Sequence, residues 1–276
     1  MRKSTLLGLS AFLLTACAGE AAQPSRPAEI WLMMGQSNMS GRGDLAEQST
    51  ALKLPDTRIR VLGNDGVLAV AREPLDAATG QRDPVSADLQ AGVGPGRAFA
   101  HARLAGRPDR RLILVPCAKG GSGIAEWLPS ERNDSLFGSC VGRARSASRD
   151  GRLTGILWYQ GETDAGDPTR AAAWPSSFDL FLKGFRDALG VGTLPIIVVS
   201  LADPPVVGRY AGRFPEWSTI QGAQAELQGV SLAVVSASGL PKNADDLHLS
   251  TAGQETLGLR LAEAAETLLR NDGSAR

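Results

Sequence analysis

The chain contains two histidines, and one of them sits where a hydrolytic base could be built. In Asp245-Asp246-Leu247-His248 an acid and an imidazole three residues apart in a turn can pair through Nδ1. That pairing fixes the tautomer and turns Nε2 toward a nucleophile. His101 lies inside the helical pattern Ala98–Ala102, where a structural or surface role is expected. A nucleophile is available in Gly35-Gln36-Ser37-Asn38-Met39-Ser40-Gly41, directly after an apolar run. A Ser between a strand end and a helix start presents Oγ upward and its own N–H to a developing oxyanion; taken alone it also reads as a helix cap. Two further segments carry suitable groups. Cys117-Ala118-Lys119-Gly120-Gly121-Ser122-Gly123 has paired glycines that let the backbone approach a substrate and aim an N–H at it. Trp158-Tyr159-Gln160-Gly161-Glu162-Thr163-Asp164 puts an amide and a carboxylate side by side.

Other chemistries find little footing. The sequence has no H-E-x-x-H and no Cys/His cluster, so no metal or other cofactor is expected. The glycine loop after Cys117 lacks the Gly-Lys-Ser/Thr of a phosphate loop. Gly92-Val93-Gly94-Pro95-Gly96 has the wrong spacing for a dinucleotide fingerprint. With 29 basic and 29 acidic residues, the neutral chain argues against nucleic acid as a partner. Arg42, just behind Ser37, reads as a pocket-wall or turn residue.

These segments need a scaffold that brings them to one edge. Strand-length apolar runs occur at 29–34, 58–62, 112–116, 155–159, 195–201 and 231–236, several of them continuous, as strands covered on both faces should be. Helical patterns lie between them, at 96–105, 141–149, 176–189, 216–228 and 251–269. This alternation predicts an α/β fold, a three-layer α/β/α sandwich with a mainly parallel sheet. Each chemistry-bearing segment then falls at a strand's carboxyl end or just before the last helix, where such sheets bind ligands. Segment 63–95 reads as an excursion over that edge, with a hairpin around Asn64-Asp65-Gly66. Side chains from 63–95 and 203–218 are expected to decide substrate choice.

One domain is expected over 29–271. Ahead of it, Arg2 and Lys3, the apolar run Leu6–Leu14 and the small residues at 15–19 read as an export signal over 1–17, too short to span a membrane. Leu14-Thr15-Ala16-Cys17 resembles a bacterial lipobox, so Cys17 is the expected lipid anchor to the cell envelope, with 18–28 as a tether. The remaining Cys117 and Cys140 suggest one disulfide in an exported protein.

Together and in this order, the four segments resemble the SGNH hydrolase superfamily, in its sialate O-acetylesterase and acetylxylan esterase branch. Gly35-Gln36-Ser37-Asn38-Met39 is similar to the nucleophile block, Gly120-Gly121 to the glycine block, Trp158-Tyr159-Gln160-Gly161-Glu162 to the third block, and Asp245 with His248 to the last. The resemblance implies an SGNH/flavodoxin-like fold with a five-stranded sheet, and a serine esterase that removes O-acetyl groups from carbohydrates. It implies an oxyanion hole made by the N–H of Ser37, an N–H of Gly120 or Gly121, and the amide of Gln160. Asp245 is the first choice as partner of His248, with Glu162 as a second or supporting carboxylate. Gln36, Asn38, Arg42 and Trp127 are the expected substrate contacts. A non-catalytic carbohydrate-binding lipoprotein and an SGNH lipase or thioesterase are the competing readings.

Overall fold

The continuous apolar runs become strands that are buried along their length: Ile30–Met34 and Leu112–Val115 are almost wholly shielded from solvent, as both-face coverage requires. The structure, a computed structural model, describes residues 26–271 and 273; the export signal, Cys17 and most of the tether lie outside the described residues. The strands are β1 (Ala28–Gly35), β2 (Ile59–Leu62), β3 (Leu68–Val70), β4 (Leu112–Pro116), β5 (Gly151–Tyr159), β6 (Ile196–Ser200) and β7 (Leu232–Ser236). They form one sheet in the order β3-β2-β4-β1-β5-β6-β7. Every pairing is parallel except β2 with β3.

The sheet therefore has seven strands rather than five. The extra antiparallel strand, β3, is formed by the hairpin expected at Asn64-Asp65-Gly66, where Gly63 N–H donates to Val67 O and Gly66 takes φ 76°. Three residues are too few for a hydrophobic period to register in the sequence.

The helices are α1 (Ser37–Ser40), α2 (Thr50–Lys53), α3 (Gly96–Leu104), α4 (Leu136–Ala147), α5 (Pro168–Leu189), α6 (Trp217–Ala225) and α7 (Thr251–Asn271). Helices α3 and α7 pack together against the sheet, and α4, α5 and α6 form the other layer. Helix α5 begins at Pro168, well before the expected Ser176. Asp167 caps it by accepting from Arg170 N–H at 2.9 Å, and Pro168 stands in the first turn, where its missing N–H is no loss. Pro175 inside the helix is tolerated because buried Trp174 and Phe178, stacked at 5.2 Å, hold the helix on both sides of it. Helix α4 likewise starts early, with Ser135 accepting from Gly138 N–H at 2.9 Å.

Trp127, Trp158, Phe178, Phe181 and Phe185 form one buried aromatic cluster; truncating such a ring costs about 3–5 kcal/mol. Trp127 is thus a core residue and not a sugar-stacking one: it is 0% exposed and donates from Nε1 to Ser122 Oγ at 3.1 Å. Trp158 and Trp217 are buried as well. Cys117 and Cys140 are bonded, tying the end of β4 to α4. Strand β1 lies between β4 and β5, and the chain builds outward from it first to one side and then to the other. The crevice at its carboxyl end is the switch point where such sheets take ligands.

Candidate active site

Ser37 opens α1 at that switch point. Gly35 makes the corner feasible: at φ 121° a Cβ there would lie 2.1 Å from Tyr159 O, so only glycine lets β1 turn this close to β5. Ser37 Oγ stands 3.0 Å from His248 Nε2, and His248 Nδ1 is 2.7 Å from Asp245 Oδ2. The other Asp245 oxygen accepts the N–H groups of Leu247 at 3.1 Å and His248 at 3.0 Å. The turn is pinned from outside. Asp246, at φ 58°, accepts from Val206 and Val207 N–H and pairs with Lys242. The ring of Tyr210 meets the imidazole edge-on at 5.9 Å.

The electrostatics suit a general base. Burial pulls His248 below its ordinary pKa of 6.5, and Asp245 opposes without overcoming it, so the imidazole is neutral at pH 7 with Nε2 free to accept a proton. Burial works to raise Asp245, but its bonds from the His248 ring and from two backbone N–H groups outweigh that and hold it below the ordinary carboxylate value. A serine, an imidazole and an ionised acid in line at these distances can generate an attacking alkoxide.

Glu162 does not hydrogen-bond to His248. Its Oε1 accepts from Asn38 Nδ2 at 2.9 Å. Asn38 in turn accepts Leu249 N–H at 2.9 Å and donates to Leu247 O at 3.4 Å, gripping the backbone on both sides of His248. Asn38 is therefore a positioning residue rather than the expected substrate contact, and Glu162 acts on the loop through it. Burial raises Glu162 to about 7, against the Asn38 bond; its Oε2 is buried without a partner among the described residues.

Gln160 also departs from expectation. Its side chain is fully buried beneath the site: Nε2 donates to Asp164 Oδ2 and to Ser122 O at 3.2 Å, while Oε1 accepts from Trp174 Nε1 at 2.8 Å. An amide so committed has no donor to turn toward an oxyanion. Of the two glycines, Gly120 is committed as well, since its N–H donates to Asp88 Oδ2 at 3.0 Å. The same carboxylate holds Arg42 at 2.7 Å and Ser40 Oγ at 2.8 Å. Burial works to raise Asp88, but the Arg42 and Ser40 bonds prevail and hold it low. A Cβ on Gly120 would lie 2.4 Å from Arg42 Nη2, so this glycine makes room for the ion pair. Gly121, at φ 78°, keeps an N–H that no described residue accepts.

Ser37 and His248 open on a pocket of about 460 Å³. Gln36 and Arg42 line it, Arg42 held by its ion pair with Asp88. The two segments marked for substrate choice both reach it. Ala87, Asp88, Leu89 and Gln90 form one wall, and Tyr210 and Phe214, stacked at 6.1 Å, form another. Asp88, Tyr210 and Phe214 were not individually foreseen; an acid and two aromatics in aperiodic stretches carry no spacing signal. His101 is half-buried on α3 beside Arg97, far in role from the site, with burial lowering its pKa.

Residues 27–267 match the family described as carbohydrate esterase, sialic acid-specific acetylesterase. A probable carbohydrate esterase of Arabidopsis thaliana is 36% identical over 263 residues, covering 89% of this chain and 93% of the plant protein. A crystal structure of that Arabidopsis protein superposes with a TM-score of 0.74 at 32% identity, covering 87% of this chain and 98% of the other. NanS shares the fold at a TM-score of 0.66 and 18% identity, over 90% of this chain and 100% of its own. So does a carbohydrate acetylesterase of Xanthomonas citri, at 0.62 and 22%, over 88% of this chain and 56% of its own.

Proposed function

The chain belongs to the sialic acid-specific acetylesterase family of carbohydrate esterases, and from that premise we propose that it hydrolyses O-acetyl esters of carbohydrates through an acetyl-enzyme on Ser37. The observation that carries this reading is the hydrogen-bonded line from Ser37 Oγ through His248 to Asp245, open to a pocket at the sheet's switch point. His248 Nε2 takes the Ser37 proton as Oγ attacks the acetyl carbonyl. The N–H groups of Ser37 and Gly121 receive the negative charge on the carbonyl oxygen. His248 then gives its proton to the departing sugar oxygen, leaving Ser37 acetylated. Water, activated by the same imidazole, releases acetate and restores the serine.

The test is acetate release from a panel of acetylated xylan, acetylated sialic acids and simple acetyl sugars, with a p-nitrophenyl ester series beside it. Preference for acetate over longer chains is expected; preference for long chains points to a lipase or thioesterase, and no turnover to a binding lipoprotein. Ser37→Ala or His248→Ala is expected to lower kcat by about 10⁴-fold. Purified Ser37→Ala that keeps more than about a tenth of wild-type activity refutes the assignment.

For location, the reading is an exported protein held to the bacterial envelope by a lipid on Cys17. The basic start, the Leu6–Leu14 run and Leu14-Thr15-Ala16-Cys17 support it, as does a Cys117–Cys140 bridge of the kind that oxidising compartments maintain. Metabolic labelling with a fatty acid, compared between wild type and Cys17→Ala, tests the anchor.

A further inference from the structure

The two walls of the pocket stand on different sides of the reaction. Lys119 Nζ donates to Ala87 O and Gly120 N–H to Asp88 Oδ2, so the 87–90 stretch lies against the glycine loop that supplies the Gly121 N–H. That wall borders the side where charge collects on the carbonyl oxygen. The other wall borders the base. Tyr210 meets the His248 ring edge-on at 5.9 Å, and Phe214 stacks on Tyr210 at 6.1 Å. In acyl transfer from an ester the imidazole hands its proton to the departing oxygen, so the group that oxygen carries must lie on the imidazole's side of Ser37. The aromatic wall therefore stands beside the alcohol half of the ester, not the acetyl half.

This wall is built before substrate arrives. At its start the N–H groups of Val206 and Val207 are held by Asp246 Oδ2 at 2.7 and 3.1 Å. At its end Glu216 N–H donates to Ala165 O at 2.9 Å, and Trp217 Nε1 to Ala202 O at 2.8 Å. Arg209 covers one face of the Tyr210 ring, its guanidinium carbon 4.7 Å from the centroid, and Trp217 backs Phe214 at 5.6 Å. Both Tyr210 and Phe214 are nonetheless only half-buried and line the pocket. Aromatic surface left bare beside polar catalytic groups marks a place that receives a ligand's apolar face.

We infer that Tyr210 and Phe214 form the subsite for the departing sugar ring, and that they make the enzyme select acetylated pyranoses over acetate esters of small alcohols. A pyranose presents C–H groups of slight positive charge on its faces and carries its hydroxyls around the rim. The negative face of an aromatic ring takes such C–H groups, while the rim stays free for water. The inference rests on the esterase reading above.

The readout is a ratio: kcat/KM for an acetylated sugar over kcat/KM for ethyl acetate, whose leaving group has no ring. The sugar ester is whichever of xylose tetraacetate, acetylated xylan oligosaccharides and O-acetyl sialic acid the wild type turns over best. Phe214→Ala is the principal variant, because the ring neighbours of Phe214 are Tyr210 and Trp217 rather than the imidazole. The ratio should fall at least about tenfold, mostly through a higher KM for the sugar ester. Tyr210→Ala should lower it likewise, and Tyr210→Phe, which keeps the ring, should retain most of what Tyr210→Ala loses. Phe214→Leu, apolar and ringless, replaces Phe214→Ala should the melting temperature show that the smaller side chain unfolds the protein, with the same outcome expected. Equal losses on the sugar ester and on ethyl acetate make the two rings mere supports of the His248 turn and overturn the proposal. A wild type that hydrolyses ethyl acetate as readily as every sugar ester overturns it too. Absence of esterase turnover in the wild-type protein overturns the esterase reading itself, and this inference with it.

Discussion

Asp245→Asn is the sharpest probe of the hydrogen-bonded line at the site. In the native turn one Asp245 oxygen accepts the N–H groups of Leu247 and His248, and the other faces His248 Nδ1 at 2.7 Å. An asparagine must keep its carbonyl oxygen on the two backbone donors, because those donors cannot turn away. Its NH2 then points at Nδ1 and donates to it, so the imidazole proton moves to Nε2. At 3.0 Å from Ser37 Oγ, that nitrogen would offer a proton where it must accept one. The geometry survives and the tautomer is inverted, which in serine triads lowers kcat by about 10⁴-fold, or about 5.4 kcal/mol. The assay is initial-rate acetate release at saturating substrate, with Glu162→Gln in parallel. Because the amide oxygen of that variant would still accept from Asn38, the grip on the His248 loop is kept and the loss there should stay within about tenfold. A folded Asp245→Asn enzyme within about a hundredfold of wild type, or a Glu162→Gln loss as large as that of Asp245→Asn, refutes the reasoning.

The pH dependence of kcat/KM should rise as His248 loses its proton, with an inflection below its ordinary 6.5, and stay level above it; an inflection above about 7.5 in the rate profile contradicts the burial argument. Glu162 ties stability to pH in the opposite sense. Its folded value of about 7 stands above the ordinary 4.5, so the unfolded chain gives up this proton first and stability falls as pH rises from 4.5 to about 7. Glu162→Gln removes that penalty, adding on the order of 3 kcal/mol at alkaline pH and little near pH 4, which urea unfolding at the two pH values reads directly. Reducing the Cys117–Cys140 bridge, 23 residues apart in sequence, should lower stability by about 3 kcal/mol by freeing the unfolded chain, seen as a lower melting temperature with dithiothreitol.

The juxtaposition of Ser37, His248 and Asp245 was legible in the sequence because its parts come as short contiguous signals: a Ser at a strand–helix corner and a D-x-x-H turn in a chain with two histidines. The alternation of strands and helices was legible for a similar reason, since burial on two faces leaves long apolar runs. What escaped depends on partners brought from far along the chain. Whether Gly120 or Gly121 keeps a free N–H is decided by Asp88, which sits in an aperiodic excursion. Gln160 turns inward because Asp164 and Trp174 wait for it there, and nothing at the Gln-Gly-Glu stretch announces that direction. Trp127 looks like a sugar platform until the rings of Trp158 and Phe181 close against it. Pro175 hid the first half of α5, since a proline usually marks a helix boundary.

Ser37 and His248 are 211 residues apart, and that separation has a consequence for how the protein comes to life. On the proposed mechanism the nucleophile is made early and its base late, just ahead of α7. Any intermediate that lacks the docked β7–α7 segment holds a serine without a proton acceptor, and so carries no hydrolytic activity however well its first half has folded. A single cut in the stretch between β7 and α7 that frees His248 should silence the protein at once and completely. Esterase activity is in this sense a signal of finished folding, given only when the two ends of the domain have met.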